Sequence, residues 1–160
     1  MTKYLLLLVL LVGCSNSSSS WRYDSIPNGE TTFESSRLLY SSPTSHLKLE
    51  LLKLGEGIQA SLYLSLHRFT ASSSHSVKVT LSVDGKEFSE QIAYHEGRMR
   101  LSLSKQLTEI LLFALQEGKL VAILVDGFQE TISPEQFAPC YSKLLNGNTN
   151  WLKYIKGPVE

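Results

Sequence analysis

The sequence predicts an α+β fold, mainly antiparallel β, arranged as a sandwich-like or curled sheet with two helices. Three observations carry that prediction. Alternating apolar and polar residues recur between glycine-containing turns, at residues 46–54, 58–69 and 77–83, the period of half-buried strands. The period then turns helical at Leu107, Ile110, Leu111, Ala114 and Leu115. The chain has 160 residues, of which 42% are hydrophobic; that is enough for one packed domain and too apolar for a disordered coat.

A different pattern stands ahead of the domain. Lys3 gives a positive start, residues 5–12 are an unbroken apolar run, and Gly13 and Cys14 follow. A charged start, about 7–15 apolar residues and a small residue at a cut site make a secretory signal. The run falls short of the roughly 20 residues that a spanning helix needs. Its ending, Leu11-Val12-Gly13-Cys14, resembles the lipobox of bacterial lipoproteins. The resemblance implies that the Cys14 thiol carries diacylglycerol, that the chain is cut before Cys14, and that the new amino end is acylated by a chain of the palmitate class. It divides the chain into a signal peptide at 1–13, a lipidated Ser-rich tether at 14–20 and a single β-rich envelope domain at 21–160. In that family an aspartate after the cysteine retains the protein in the inner membrane. Ser15 stands there instead, which implies the outer membrane.

Removing residues 1–13 leaves 147 residues, and losing Lys3 turns 15 basic against 15 acidic into 14 against 15. Such a balance gives no attraction to nucleic acid, and no long basic run addresses anionic lipid. With Cys14 acylated, Cys140 is left alone, so packing rather than a disulfide must hold the fold.

Within the domain, short extended segments are expected at 21–23, 31–34 and 37–40, with a turn at Pro27-Asn28-Gly29. Trp21 and Tyr23 alternate with polar neighbours, as an edge strand does. Residues 46–54 and 58–69 form a hairpin around Gly55-Glu56-Gly57. Keeping the leucines on one face pairs Leu47 with Leu66, Leu49 with Leu64 and Leu51 with Leu62, sets Glu50 opposite Tyr63, and brings His46 opposite His67. Leu52 and Leu54 then fall on the wrong face, which calls for a bulge near Leu51. Val77, Val79, Leu81 and Val83 run into Asp84-Gly85, a tight-turn pair, with a return strand through Phe88, Ile92 and Tyr94. After a turn at Glu96-Gly97, Met99, Leu101 and Leu103 make one more strand. The first helix is capped by Ser104 and stopped by Gly118; Leu112 and Phe113 widen its stripe, so it is expected between two layers. Residues 120–125 are apolar throughout, the mark of a strand covered on both sides. Asp126-Gly127 turns it back through 128–132. Ser133, Pro134 and Gln136 read as cap, first-turn proline and capping-box partner of a second helix, which begins afresh at Pro139 and presents Phe137, Cys140, Tyr141 and Leu144 on one face. Trp151, Tyr154 and Ile155 are the residues that would pin the tail. Residues 79–92 and 121–132 repeat one strand, Val-Asp-Gly and strand pattern.

No catalytic set emerges. His46 and His67, with Glu50 and His75 nearby, are the residue types that ligate a transition metal, but no tight His spacing supports a site, and neither a metal nor a cofactor is expected. His95 beside Glu96 reads as surface. There is no nucleophile elbow, Cys140 lies on an apolar helix face where thiols are inert, and the glycines stand singly rather than in a phosphate loop. Asp84 and Asp126 form turns and lack the oxygen density calcium needs.

The run of hairpins from Leu47 to Phe128, with Leu115-Gln116-Glu117-Gly118 before a buried strand, resembles bacterial envelope domains of the invasion-associated locus B type. That likeness implies a β-sandwich with a short helix feeding a strand. The Ser- and Leu-rich usage resembles lipoproteins of obligate intracellular bacteria. Together these lead to a non-catalytic, lipid-anchored envelope lipoprotein, held to the membrane through Cys14, that binds another envelope protein. The alternative is a carrier or chaperone for an apolar ligand, with a cavity lined by Leu111, Phe113 and Leu124; a hydrolase with His, Asp and Ser gathered in one cleft stands third.

Overall fold

A computed structural model describes residues 20–26, 35–43, 45–54, 57–64 and 75–146. The Leu11-Val12-Gly13-Cys14 segment read as a lipobox, the turn expected at Pro27-Asn28-Gly29, residues 31–34, His67 and the tail with Trp151 lie outside the described residues. The fold is α+β and mainly antiparallel. One sheet holds five strands: β1 (Ser20–Ile26), β2 (Ser35–Ser41), β3 (Leu47–Leu54), β4 (Gly57–Leu64) and β7 (Arg100–Ser102), side by side in that order. The other has the order β6-β5-β8-β9, from β5 (Ser76–Val83), β6 (Lys86–Ala93), β8 (Val121–Val125) and β9 (Phe128–Ile132). Helix α1 (Lys105–Gln116) follows β7, and α2 (Phe137–Asn146) follows β9. Among the described residues no helix is long and apolar enough to cross a membrane.

Alternation builds the core. Leu38, Leu49, Leu51, Leu62 and Leu101 from the first sheet and Val79, Leu81, Ile123 and Val125 from the second are fully buried in one cluster with Leu111 of α1 and Phe137 of α2. Two side chains tie the layers by hydrogen bonds as well as by area. Trp21 donates its indole N–H to the Ser133 carbonyl at 2.8 Å. The Tyr40 hydroxyl donates to the Thr131 carbonyl at 3.1 Å and accepts from the Ser133 N–H at 3.2 Å. Trp21 also packs tilted against Tyr40 and Phe137, at centroid separations of 5.0 and 4.9 Å, the offset geometry aromatic rings favour.

Both Asp-Gly pairs turn as their composition demands. Asp84 and Gly85 take φ of +50° and +77°, Asp126 and Gly127 +50° and +78°, the mirror-image turn whose twist matches a hairpin. The α1 boundaries also follow the sequence. The Ser104 hydroxyl accepts from the Leu107 N–H at 3.2 Å. At the other end Gly118, at φ +75°, lets its own N–H reach the Leu115 carbonyl and the Lys119 N–H reach that of Ala114, a Schellman closure.

Several expectations are corrected. The β3–β4 register is displaced by two residues: Leu47 faces Leu64, Leu49 faces Leu62 and Leu51 faces Ala60. A shift of two keeps every side chain on its face, so patterning alone could not choose; the closure of the hairpin at Leu54↔Gly57 does. There is no bulge, because Leu52 pairs with Gln59 in an unbroken ladder and simply lies on the outer face. The 120–125 run is covered on one side only. Val121, Ile123 and Val125 are buried, whereas Leu124 is 47% exposed beside Thr80 and Gln129. Phe113 is 61% exposed, so α1 is not enclosed between layers along that line. Ser133 and Gln136 form no capping box: Gln136 sits at φ +62°, and the Ser133 hydroxyl accepts from the Glu135 N–H instead. Helix α2 starts at Phe137, which leaves Pro139 in the first turn, where its missing N–H removes no helical bond.

Candidate functional site

The outer face of the five-stranded sheet carries the densest charge network among the described residues. Alternation places Arg22 and Asp24 of β1, Arg37 of β2, Lys48 and Glu50 of β3, Tyr63 of β4 and Arg100 of β7 on this face. Glu50 is its centre, only 8% exposed at the side chain. Arg37 approaches one carboxylate oxygen at 3.4 Å and Arg100 the other at 2.5 Å. Arg100 also reaches the Ser61 hydroxyl at 3.3 Å, and Arg37 reaches Asp24 at 3.4 Å, which Arg22 joins at 3.1 Å. A buried carboxylate is tolerable when paired in this way. Beside it the Tyr63 phenol is raised above 10.0, first because burial disfavours the phenolate and then because Glu50 is near. The sequence reading missed this network. Arg37, Glu50 and Arg100 are distant in the chain, and the only signal was that Glu50 lies on the polar side of its strand.

The remaining chemistry is sparse. His46 is exposed just ahead of β3, and with Leu47 opposite Leu64 the register that would have faced it with His67 is not the one formed. No cluster of three metal-ligating side chains occurs among the described residues. The His95 Nε2 and Ser102 hydroxyl lie 2.7 Å apart in an exposed hydrogen bond. That pair has the first contact of a nucleophile and base, but a working dyad also needs an orienting group on the base and donors for an oxyanion. Cys140 is a free, half-buried thiol on α2, and Asp84 is engaged by Lys119 at 3.1 Å. Lys119 also meets Glu117 at 2.8 Å, and that bond, then the one to Asp84, raises its pKa.

Leu111, Phe113 and Leu124 do not line one cavity: Leu111 is fully buried while the other two face solvent. Open clefts lie elsewhere among the described residues. One of about 290 Å³ lies between α1 and the β5–β6 hairpin, walled by Phe88, Ile110 and Phe113 and rimmed by Lys86 and Lys119. Another, about 490 Å³, lies between the β3–β4 hairpin and both helices, against Ile58, Leu112, Tyr141 and Leu145. Thr108 in its lining is 3% exposed, and its hydroxyl has no hydrogen-bond partner among the described residues. Burial raises the Tyr141 phenol there. Both clefts combine apolar walls with charged rims, Asp84, Lys86, Glu117 and Lys119 at the first and Lys105 and Glu109 at the second.

Against known proteins, no family model, no curated protein and no solved structure matches the chain. Its residues and fold therefore carry the functional reading alone.

Proposed function

We propose that this chain is a lipid-anchored envelope lipoprotein, non-catalytic, whose β-rich domain binds another envelope protein. The observation that carries the reading is the apolar run at residues 5–12 ending in Leu11-Val12-Gly13-Cys14. The domain geometry is compatible with it: β1 begins at Ser20, the last residue assigned to the Ser-rich tether. Partner binding is supported by β6, an edge strand of the four-stranded sheet, because an edge can accept a strand from another chain. Exposed Phe113 and the apolar cleft beside it add a contact surface.

The test is intact mass and membrane fractionation of the expressed protein, wild type against Cys14→Ala. The expected result is a chain beginning at Cys14 with the added mass of acyl chains, found with membranes, and a variant lacking both. A variant that fractionates and weighs like wild type overturns the anchor.

A further inference from the structure

We propose that the end of the five-stranded sheet at which β1 begins is the surface this protein lays against the membrane, its partner there being a bilayer with anionic headgroups. The inference rests on the lipid anchor and goes beyond it by naming the contact surface. Six peptide steps separate Cys14 from Ser20. Fully extended they reach about 20 Å, so Ser20 cannot stray farther than that from the lipidated residue.

The ladder fixes what stands beside Ser20. Ser20 pairs with Ser41, Tyr40 with Leu49, Lys48 with Tyr63 and Tyr63 with Arg100. Ser41 and Lys48 therefore fall on the next rung, and one row crosses the sheet from the tether to Arg100. At about 4.8 Å per strand the row is some 19 Å wide. Just beyond it the chain turns at Glu96–Arg98, with Arg98 held exposed at φ +53° and Met99 45% exposed. Residues 48, 98 and 100 form no basic run in sequence, and the fold brings them to one end. Glu50 engages Arg100, Glu96 is the acid within the turn sequence, and Asp126 approaches Tyr94 from the other sheet. Basic side chains held within a Debye length of an anionic leaflet, about 8–10 Å, are drawn to it. Between them Met99 offers an apolar side chain for the headgroup boundary. The opposite end of β3 provides a built-in control. Leu54 is 56% exposed and lies about 23 Å along the strand from Leu47.

The experiment uses the full lipidated chain with Cys140→Ser and either Met99→Cys or Leu54→Cys, labelled with bimane. Each protein is reconstituted into vesicles of phosphatidylethanolamine and phosphatidylglycerol containing brominated phospholipid, or into brominated phosphatidylcholine alone. Several-fold stronger quenching at position 99 than at 54 is expected in the anionic vesicles. That difference should shrink in phosphatidylcholine and when Lys48→Glu and Arg98→Glu are added. Equal quenching at the two positions on vesicle-bound, acylated protein overturns the proposed surface and leaves the anchor standing. Quenching at position 99 that ignores both headgroup and charge reversal overturns the anionic partner. A chain without acyl mass that does not float with vesicles removes the anchor, and the surface falls with it.

Discussion

Glu50 sits between two guanidinium groups on a sheet face turned away from the core, and its side chain is only 8% exposed. Arg37 and Arg100 remain 35% and 44% exposed, so solvent screens each pair and neither alone is strong. Together they hold three strands, β2, β3 and β7, in relation to one another. Replacing the carboxylate by an amide leaves two cations facing each other across an uncharged group. Glu50→Gln should lower stability by about 1–2 kcal/mol, below the cost of breaking a fully buried pair because both arginines reach water. Urea unfolding of the two proteins measures it; an unchanged midpoint would show that the network contributes nothing net.

Among the elements, α1 is the one whose limits are most fully determined by local chemistry. Ser104 caps it, and the same hydroxyl donates to the Glu90 carboxylate on β6. The cap therefore also fastens the helix start to the four-stranded sheet. Removing it orphans a first-turn N–H and leaves the half-buried Glu90 carboxylate without that donor. Ser104→Ala should cost about 1–2 kcal/mol, at the upper end for an N-cap, read as a lowered midpoint in thermal or denaturant unfolding. A loss of only a few tenths would mean that water replaces both bonds. The two Asp-Gly hairpins make the complementary point. Their turns are alike in φ, and β5 pairs with β8 antiparallel through Leu81↔Ile123, each three residues ahead of its turn. The second sheet thus has an approximate two-fold relation between its halves, which gives the repeated strand and Val-Asp-Gly pattern a structural counterpart.

Across the whole molecule, the join between the sheets depends on Tyr40 and Trp21. Tyr40 is 1% exposed and satisfies one carbonyl and one N–H at the end of β9, so β9 is held against the five-stranded sheet by a directed contact as well as by apolar area. Tyr40→Phe keeps the ring and removes both bonds, leaving the Thr131 carbonyl and Ser133 N–H without that partner. The expected cost is about 1–3 kcal/mol, with faster amide exchange near Ser133 than in wild type. Uniform exchange rates at unchanged stability would place the join in packing alone. Trp21, the second residue of β1, is 5% exposed, so β1 is packed into the core almost from its first residue.

By itself the sequence determined the fold class, the strands with strict alternation, both Asp-Gly turns and the limits of α1. Each of these is set by neighbours within a few residues, through side-chain period, positive φ and capping. Only the tertiary structure decided the β3–β4 register, because a displacement of two residues leaves every leucine on its face. It alone decided that Leu124 and Phe113 face solvent, since an apolar run does not say whether a second layer exists to cover it. The Glu50 network and the row from Ser20 to Arg100 were equally beyond the sequence. Their members are brought together by strand order, and strand order is fixed by the packing of the whole core.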